Sequence, residues 1–171
     1  GAIVTLISGP TALEPPPVAH FERIETANEM FTAVKRHAER ANIYIGVAAV
    51  ADYRAESTSE QKLKRTNDNF EVKLVPTADI LAWVAALPKP PFCVGFAAES
   101  HKLNENADVK RRRKKVQMMV ANLAQAAIGA DDNEVTILDD EGIHRWPRAS
   151  KTVVARDLVA HIAKLYSKPE R

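Results

Sequence analysis

Three continuous apolar runs, Ile3–Ile7, Ile43–Val50 and Phe92–Ala98, do most to limit what this chain can fold into. A strand with one wet face alternates apolar and polar residues. A run that is apolar throughout belongs in a sheet covered on both faces, which is the habit of parallel sheets flanked by helices. The first two runs end on residues that leave a sheet, Ser8-Gly9-Pro10 and Asp52, and the loops after the strands are expected at Ser8–Thr11, Ala48–Asp52, Phe96–Glu99 and from Asn122 onward. Between the first two, Thr26 and Glu29 have the spacing of a capping box. Met30, Phe31, Val34 and Ala38 then recur at helical spacing, opposite Lys35, Arg36, Glu39 and Arg40. A helix between two buried strands predicts a βαβ unit with parallel pairing.

The rest of the chain continues the alternation. Pro15, Pro16 and Pro17 predict an extended loop before a short strand over Phe21–Glu25. From about residue 53 to 75 the composition turns polar, with Phe70, Val72 and Leu74 alternating, and we read an exposed hairpin or flap. Thr77 is placed to cap a helix carrying Ile80, Leu81, Val84 and Leu87, which Pro88 terminates. Asn104–Lys115 reads as a helix with a basic end and Gln117–Asn122 as a strand. Glu134–Leu138 and Ile143–Trp146 flank a turn at Asp139-Asp140-Glu141-Gly142, and a last helix carries Val154, Leu158, His161, Ile162 and Leu165 behind Ser150. The expected architecture is α/β: one domain over residues 1–171, a Rossmann-like, three-layer, doubly wound sheet with a protruding flap. Its ligands belong at the carboxyl ends of the strands.

Composition narrows the function. Lys and Arg total 24 against 22 Asp and Glu, so a net charge of +2 supplies no global field for nucleic acid or membrane. The single cysteine, Cys93, excludes a disulfide framework and a Cys-rich zinc site, and fits a reducing, cytoplasmic compartment. No stretch reaches the roughly 18 apolar residues that span a bilayer. The abrupt opening on Gly1 and Ala2, with no turn before the first strand, leads us to expect a preceding segment.

The loops after the strands carry the chemistry. The six glycines form neither GxGxxG nor a P-loop, so standard dinucleotide and P-loop sites are excluded. Gly46 and Gly95 lie in apolar strands, where the missing side chain permits either close packing or approach of a ligand. Asp52, ending a strand, can accept a ribose hydroxyl or help hold a metal, and can equally cap a turn. Lys62 is a mobile lysine able to neutralise phosphate charge, or a solvated one. Lys110 and Lys114 share one helical face, as two ammonium groups converging on a polyphosphate would. His20, His37, His101, His144 and His161 show no metal-ligand spacing, and His37 and His161 read as structural. No GxSxG nucleophile elbow is present.

Taken together, Gly46-Val-Ala-Ala-Val-Ala-Asp-Tyr-Arg54, the lysines after it and Val94-Gly-Phe-Ala-Ala-Glu99 resemble bacterial phosphopantothenoylcysteine synthetase. The similarity runs from Val4-Thr-Leu-Ile-Ser-Gly-Pro10 to the final helix. The resemblance implies a coenzyme A pathway ligase, often the carboxyl-terminal half of a bifunctional protein, with FMN confined to the fused decarboxylase. Family members begin this domain with one more strand and helix. CTP activates 4'-phosphopantothenate to an acyl-cytidylate with loss of pyrophosphate, Mg2+ assists, and cysteine attacks the intermediate. Carried over by position, Gly46, Val47, Ala48 and Asp52 meet the nucleotide and Ala49 touches the acyl group. Lys62 is the catalytic flap lysine, also on the nucleotide. Ala78, Asp79, Ile80 and Leu81 offer backbone groups to it, Phe96 packs on it, and Lys110 and Lys114 meet the triphosphate. The metal ligands stay unassigned. The resemblance implies a homodimer in which the flap lysine crosses the interface. The family has Asp where this chain has Gln117, and Asn-Asp at Asn122-Leu123.

The alternative is a non-catalytic nucleotide-binding or regulatory protein on the same fold, which those departures would suit. A nicotinamide-dependent reductase rests on fold analogy alone. Nucleic-acid binding through Lys110–Lys115 lacks interleaved aromatics, and neither nucleic acid nor membrane is expected as a partner.

Overall fold

The computed structural model describes residues 1–57, 59, 61–62, 64, 69–99, 103–123 and 129–167. In chain order the elements are β1 (Thr5–Ser8), β2 (His20–Arg23), α1 (Ala27–Ala38), β3 (Ile43–Gly46), β4 (Tyr53–Ala55), β5 (Leu74–Pro76), α2 (Ile80–Ala85), β6 (Phe92–Glu99), α3 (Leu103–Lys114), β7 (Met118–Leu123), β8 (Asp132–Asp139), β9 (Gly142–Ser150) and α4 (Lys151–Tyr166). They fall into two compact units, Gly1–His37 with Ala48–Ile80, and Ala38–Val47 with Leu81–Arg171.

In the first unit β1 and β2 pair in parallel as a two-stranded sheet. The capping box forms as its spacing predicts. Thr26 Oγ1 accepts from the Glu29 amide at 3.2 Å, and Glu29 Oε2 accepts from the amides of Glu25 at 2.7 Å and Thr26 at 3.2 Å. N–H groups that the start of α1 leaves without helical partners are thereby satisfied, and the hydrogen bonds hold the Glu29 carboxyl below its ordinary range. Ile24, Met30, Ala33 and Val34 bury the apolar stripe. β4 and β5 form an antiparallel ladder, Tyr53 opposite Pro76 and Ala55 opposite Leu74, prolonged by the Glu56 amide donating to Lys73 O at 2.9 Å. This is the base of the flap, and Tyr53, Phe70, Val72 and Leu74 on it are exposed.

The second unit is built on a mixed five-stranded sheet in the order β3-β6-β7-β8-β9. β3, β6 and β7 run parallel, and β8 and β9 are antiparallel additions. On one face Val94, Met118, Val120, Val135 and Ile137 pack with Leu158 and Ile162 of α4. On the other, Gly95 and Met119 meet Leu81 of α2, and Lys110 of α3 pairs with Glu99. These are the three layers expected, and β6, β7 and the β8–β9 hairpin fall where the residue patterns put them. Asp139 Oδ1 closes the hairpin turn by accepting from the Glu141 and Gly142 amides at 2.8 and 3.2 Å. Gly142 takes a φ of +131°, which favours glycine. Ser150 caps α4, its hydroxyl accepting from the Val153 amide.

Four expectations are corrected. The two strands flanking α1 pair with other partners, β1 with β2 and β3 with β6, and not with each other. β1 is shorter than expected and not buried on both faces: Ile3 and Val4 precede it and are 85% and 45% exposed, Thr5 is exposed, and Leu6, Ile7 and Ser8 are half-buried. β3 stops at Gly46, because the chain turns out of the sheet with the Val50 amide donating to Ala48 O at 3.1 Å. Thr77 does not cap α2. Its hydroxyl donates to the Ala51 carbonyl, a tie to the loop after β3.

Candidate functional site

In a parallel sheet the carboxyl ends of the strands gather loop residues at one rim, so register decides what meets there. β3 and β6 are aligned with Ile45 beside Val94 and Gly46 beside Gly95. Gly46 ends β3, whereas β6 runs on past Gly95, so that Phe96–Glu99, expected as a loop, is strand paired with β7. Gly95 is a packing glycine: a Cβ there would lie 2.5 Å from Leu81 Cδ2 and 3.1 Å from Met119 Sδ. Its missing side chain lets α2 settle on β6. At Gly46 the atoms nearest a Cβ would be those of the Tyr44 ring, from 3.2 Å, and Val47 beyond it is exposed. Phe96 is partly buried against the α4-side core. The second unit thus sets Gly46, at the end of β3, level with the middle of β6, where Leu81 rests on Gly95 and Phe96 follows.

The same rim holds a charged pair that carries no motif. Glu99, the last residue of β6, is 8% exposed and lies beside Leu123 in the β6–β7 register. Lys110 Nζ of α3 stands 2.7 Å from Glu99 Oε1, without hydrogen-bond geometry, while Asn106 Nδ2 donates to Oε2 at 3.2 Å. A buried carboxylate needs such a partner. The signal for it in the sequence is a charge closing an otherwise apolar strand. Lys114 lies one turn further along α3, half-buried and itself engaged.

In the first unit Ala48, Ala49 and Asp52 are exposed. The Thr77 amide donates to Asp52 O at 2.9 Å, and its hydroxyl bonds to Ala51 O. Those two bonds draw the loop after β3 against the segment carrying Ala78, Asp79 and Ile80, so the structure brings these predicted residues together. Lys62 is exposed on the connection between β4 and β5 and is not brought to them by any described contact.

The two departures from the resembled family differ in kind. Gln117 Oε1 accepts from the Cys93 amide at 2.8 Å, joining the starts of β6 and β7. An aspartate could accept that bond equally well, so the change keeps an acceptor. Leu123 is 47% exposed at the carboxyl end of β7, and Asn122 beside it is buried.

Residues 1–166 match the family described as DNA/pantothenate metabolism flavoprotein C-terminal domain. The chain belongs to this family. The Coenzyme A biosynthesis bifunctional protein CoaBC of Vibrio cholerae is 40% identical over 161 residues, covering 91% of this chain and 40% of that protein. Its counterpart in Escherichia coli is 38% identical, covering 100% of this chain and 44% of that protein. The chain therefore spans about two fifths of the length of these relatives. Among solved structures, the crystal structure of the C-terminal domain of CoaBC superposes with a TM-score of 0.78 at 34% identity, over 96% of this chain and 77% of that one. A Cab2 variant complexed with phosphopantothenate-cysteine shares the fold at a TM-score of 0.67 and 18% identity, over 85% of this chain and 53% of that one. The family membership that the GVAAVADYR and GFAAE stretches implied is thus shown, as is the α/β fold. No described helix is long and apolar enough to cross a membrane.

Proposed function

We propose that this chain is the ligase domain that joins 4'-phosphopantothenate to cysteine in coenzyme A biosynthesis, using CTP. The observation that supports the reading is the β3–β6 register, which sets Gly46 of the first motif beside Gly95 of the second. In the reaction, a carboxylate oxygen attacks the α-phosphorus of CTP and pyrophosphate leaves. Cysteine's amine then attacks the acyl carbon, loses a proton and expels CMP. No enzyme nucleophile is required, only alignment, charge neutralisation and exclusion of water.

Each unit has residues suited to part of that chemistry. In the second, Gly46 and Val47 present backbone at an open strand end, Leu81 fixes the start of α2, and Phe96 offers a ring edge. Lys110 has donors beyond the one facing Glu99 with which to meet the triphosphate, as does Lys114 on the same face. In the first, Ala48, Asp52, Ala78, Asp79 and Ile80 meet the nucleotide and Ala49 the acyl group. Lys62, mobile on the flap, carries positive charge to the α-phosphate. Mg2+ takes oxygen ligands, and the exposed Asp52 carboxylate fits it together with phosphate oxygens; bound there, it supplies further neutralisation. FMN belongs to a decarboxylase half outside this chain. The exposed Phe70, Val72 and Leu74 support a flap that covers its apolar side in a cytoplasmic homodimer, reaching the partner's site with Lys62.

Leu123, exposed where the family has a carboxylate, favours a second reading, a non-catalytic nucleotide-binding or regulatory protein. Pyrophosphate release by the natural-length gene product, given 4'-phosphopantothenate with CTP or ATP, decides between them. CTP-dependent release establishes the ligase, and its absence from folded protein leaves the second reading. Within an active enzyme, Lys62→Ala should lower turnover at least about 100-fold with thermal stability unchanged; full turnover would remove Lys62 from the mechanism.

A further inference from the structure

At the opposite end of the five-stranded sheet, where β7 begins and β8 ends, three side chains meet that have no place in the ligase chemistry. Asp139 closes β8, His144 is on β9 and His161 is on α4. His161 Nε2 lies 2.7 Å from Asp139 Oδ2, and His144 Nε2 lies 3.2 Å from Oδ1. One donor atom from each residue falls within 4.8 Å of the others. The imidazole rings sit 5.2 Å apart, near enough to converge on one point.

We propose that Asp139, His144 and His161 bind a divalent first-row transition metal, with Zn2+ as its representative. Two imidazole nitrogens and one carboxylate oxygen make up three protein ligands of a tetrahedral site whose fourth position is open to water. Mg2+ and Ca2+ prefer all-oxygen shells, so this donor set selects against them. The carboxylate is already oriented as a ligand, because the Glu141 and Gly142 amides both hold Oδ1 and leave Oδ2 directed at His161. Trp146 packs edge-on against the His161 ring at 5.9 Å and limits its rotation.

Charge argues the same way. The Asp139 side chain is 1% exposed, and a dication held between it and the two imidazoles would compensate the charge of a buried carboxylate. Charged groups near by pair with one another, Glu141 with Lys164 at 3.6 Å and Asp140 with Arg111 at 2.7 Å. His144 is 33% exposed, which gives an ion and its water a way in. Bound metal would tie the β8–β9 hairpin to α4.

The test uses the tag-free 171-residue chain, stripped with chelator and titrated with Co2+ and Zn2+. One equivalent should bind, Co2+ should show the visible bands of tetrahedral coordination, and Zn2+ at a hundredfold excess over Kd should raise Tm by roughly 5–10 °C. His161→Gln and Asp139→Asn should abolish the bands. His144→Ala, at a half-exposed strand position and so tolerant of change, should weaken binding at least about tenfold, no less than losing a residue that only supports a ligand. Absence of binding, binding unchanged in His144→Ala, or equal competition by Mg2+ would each overturn the proposal.

Discussion

Gly46 and Gly95 sit opposite one another across the β3–β6 ladder, in motifs that look alike on paper, yet they do different work. Gly95 is enclosed: its absent side chain is the room in which Leu81 and Met119 lie. Gly46 ends an edge strand whose Ile43 and Ile45 are exposed, and the atoms nearest its absent side chain belong to the Tyr44 ring. The same residue type in the same kind of apolar run is a packing device in a central strand and an open end in a peripheral one. Position in the sheet order, and not local sequence, makes the difference.

The sharpest way to break this comparison is to fill both spaces. At Gly95 the obstructing atoms are the ends of flexible side chains, so alanine should cost about 1 kcal/mol. Valine forces Leu81 off α2's seat and should cost about 2–3 kcal/mol in urea unfolding. Leu81→Ala should recover part of the valine loss. Gly46→Ala should leave stability within about 0.5 kcal/mol and act on nucleotide affinity instead. Equal stability losses at both positions would show that β3 is as enclosed as β6.

The charged rim of β6 comes next. Lys110→Met leaves the buried Glu99 with Asn106 as its side-chain partner among the described residues, and should cost about 1–2 kcal/mol. Adding Glu99→Gln should recover most of that, because the buried charge goes with its partner. If Lys110→Met is neutral for stability and weakens CTP binding alone, the pair is functional and not structural.

How much of this was legible in the sequence follows from how far each feature reaches. β6, α3 and the β8–β9 hairpin were readable because period, caps and turn residues are local signals. The exposure of β3 was not, since it depends on which strands pair with which. Thr77 carried the spacing of a cap, but its hydroxyl found the Ala51 carbonyl across a long connection. The Asp139, His144 and His161 cluster has no motif at all, because two strands and a helix each supply one member. For the nucleotide residues the motifs named the positions, while the register set Gly46 beside Gly95.

At the other end of β6, Gln117→Leu removes the acceptor for the Cys93 amide and should cost about 1 kcal/mol, while Gln117→Asp should be near neutral. Beside it, burial pushes the Cys93 thiol up to about 11. A raised thiol pKa means that folding is favoured while the thiol is protonated. That contribution is complete below the ordinary thiol range and is lost as pH climbs from about 9 to about 11. Native protein at pH ~9 should therefore react with iodoacetamide at least about tenfold more slowly than urea-unfolded protein. Rapid labelling of the native thiol would show that β6 opens at its start and is less enclosed than its burial implies.

The smallest effect belongs to the helix that leads into β3. Glu29 closes the α1 capping box on the surface, and its carboxyl is held below the ordinary range by the Glu25 and Thr26 amides. A lowered carboxylate pKa contributes stability that is present above the ordinary value and fades as pH falls through the lowered one. The Tm difference between the native chain and Glu29→Gln should therefore be small at pH ~7 and fade in acid as pH falls through the lowered value. Thr26→Ala, which removes the reciprocal acceptor, should cost about 1 kcal/mol at either pH. A Glu29→Gln difference that grows on acidification would mean that the carboxylate is not what holds the cap, and that β3 is fed by a helix secured in some other way.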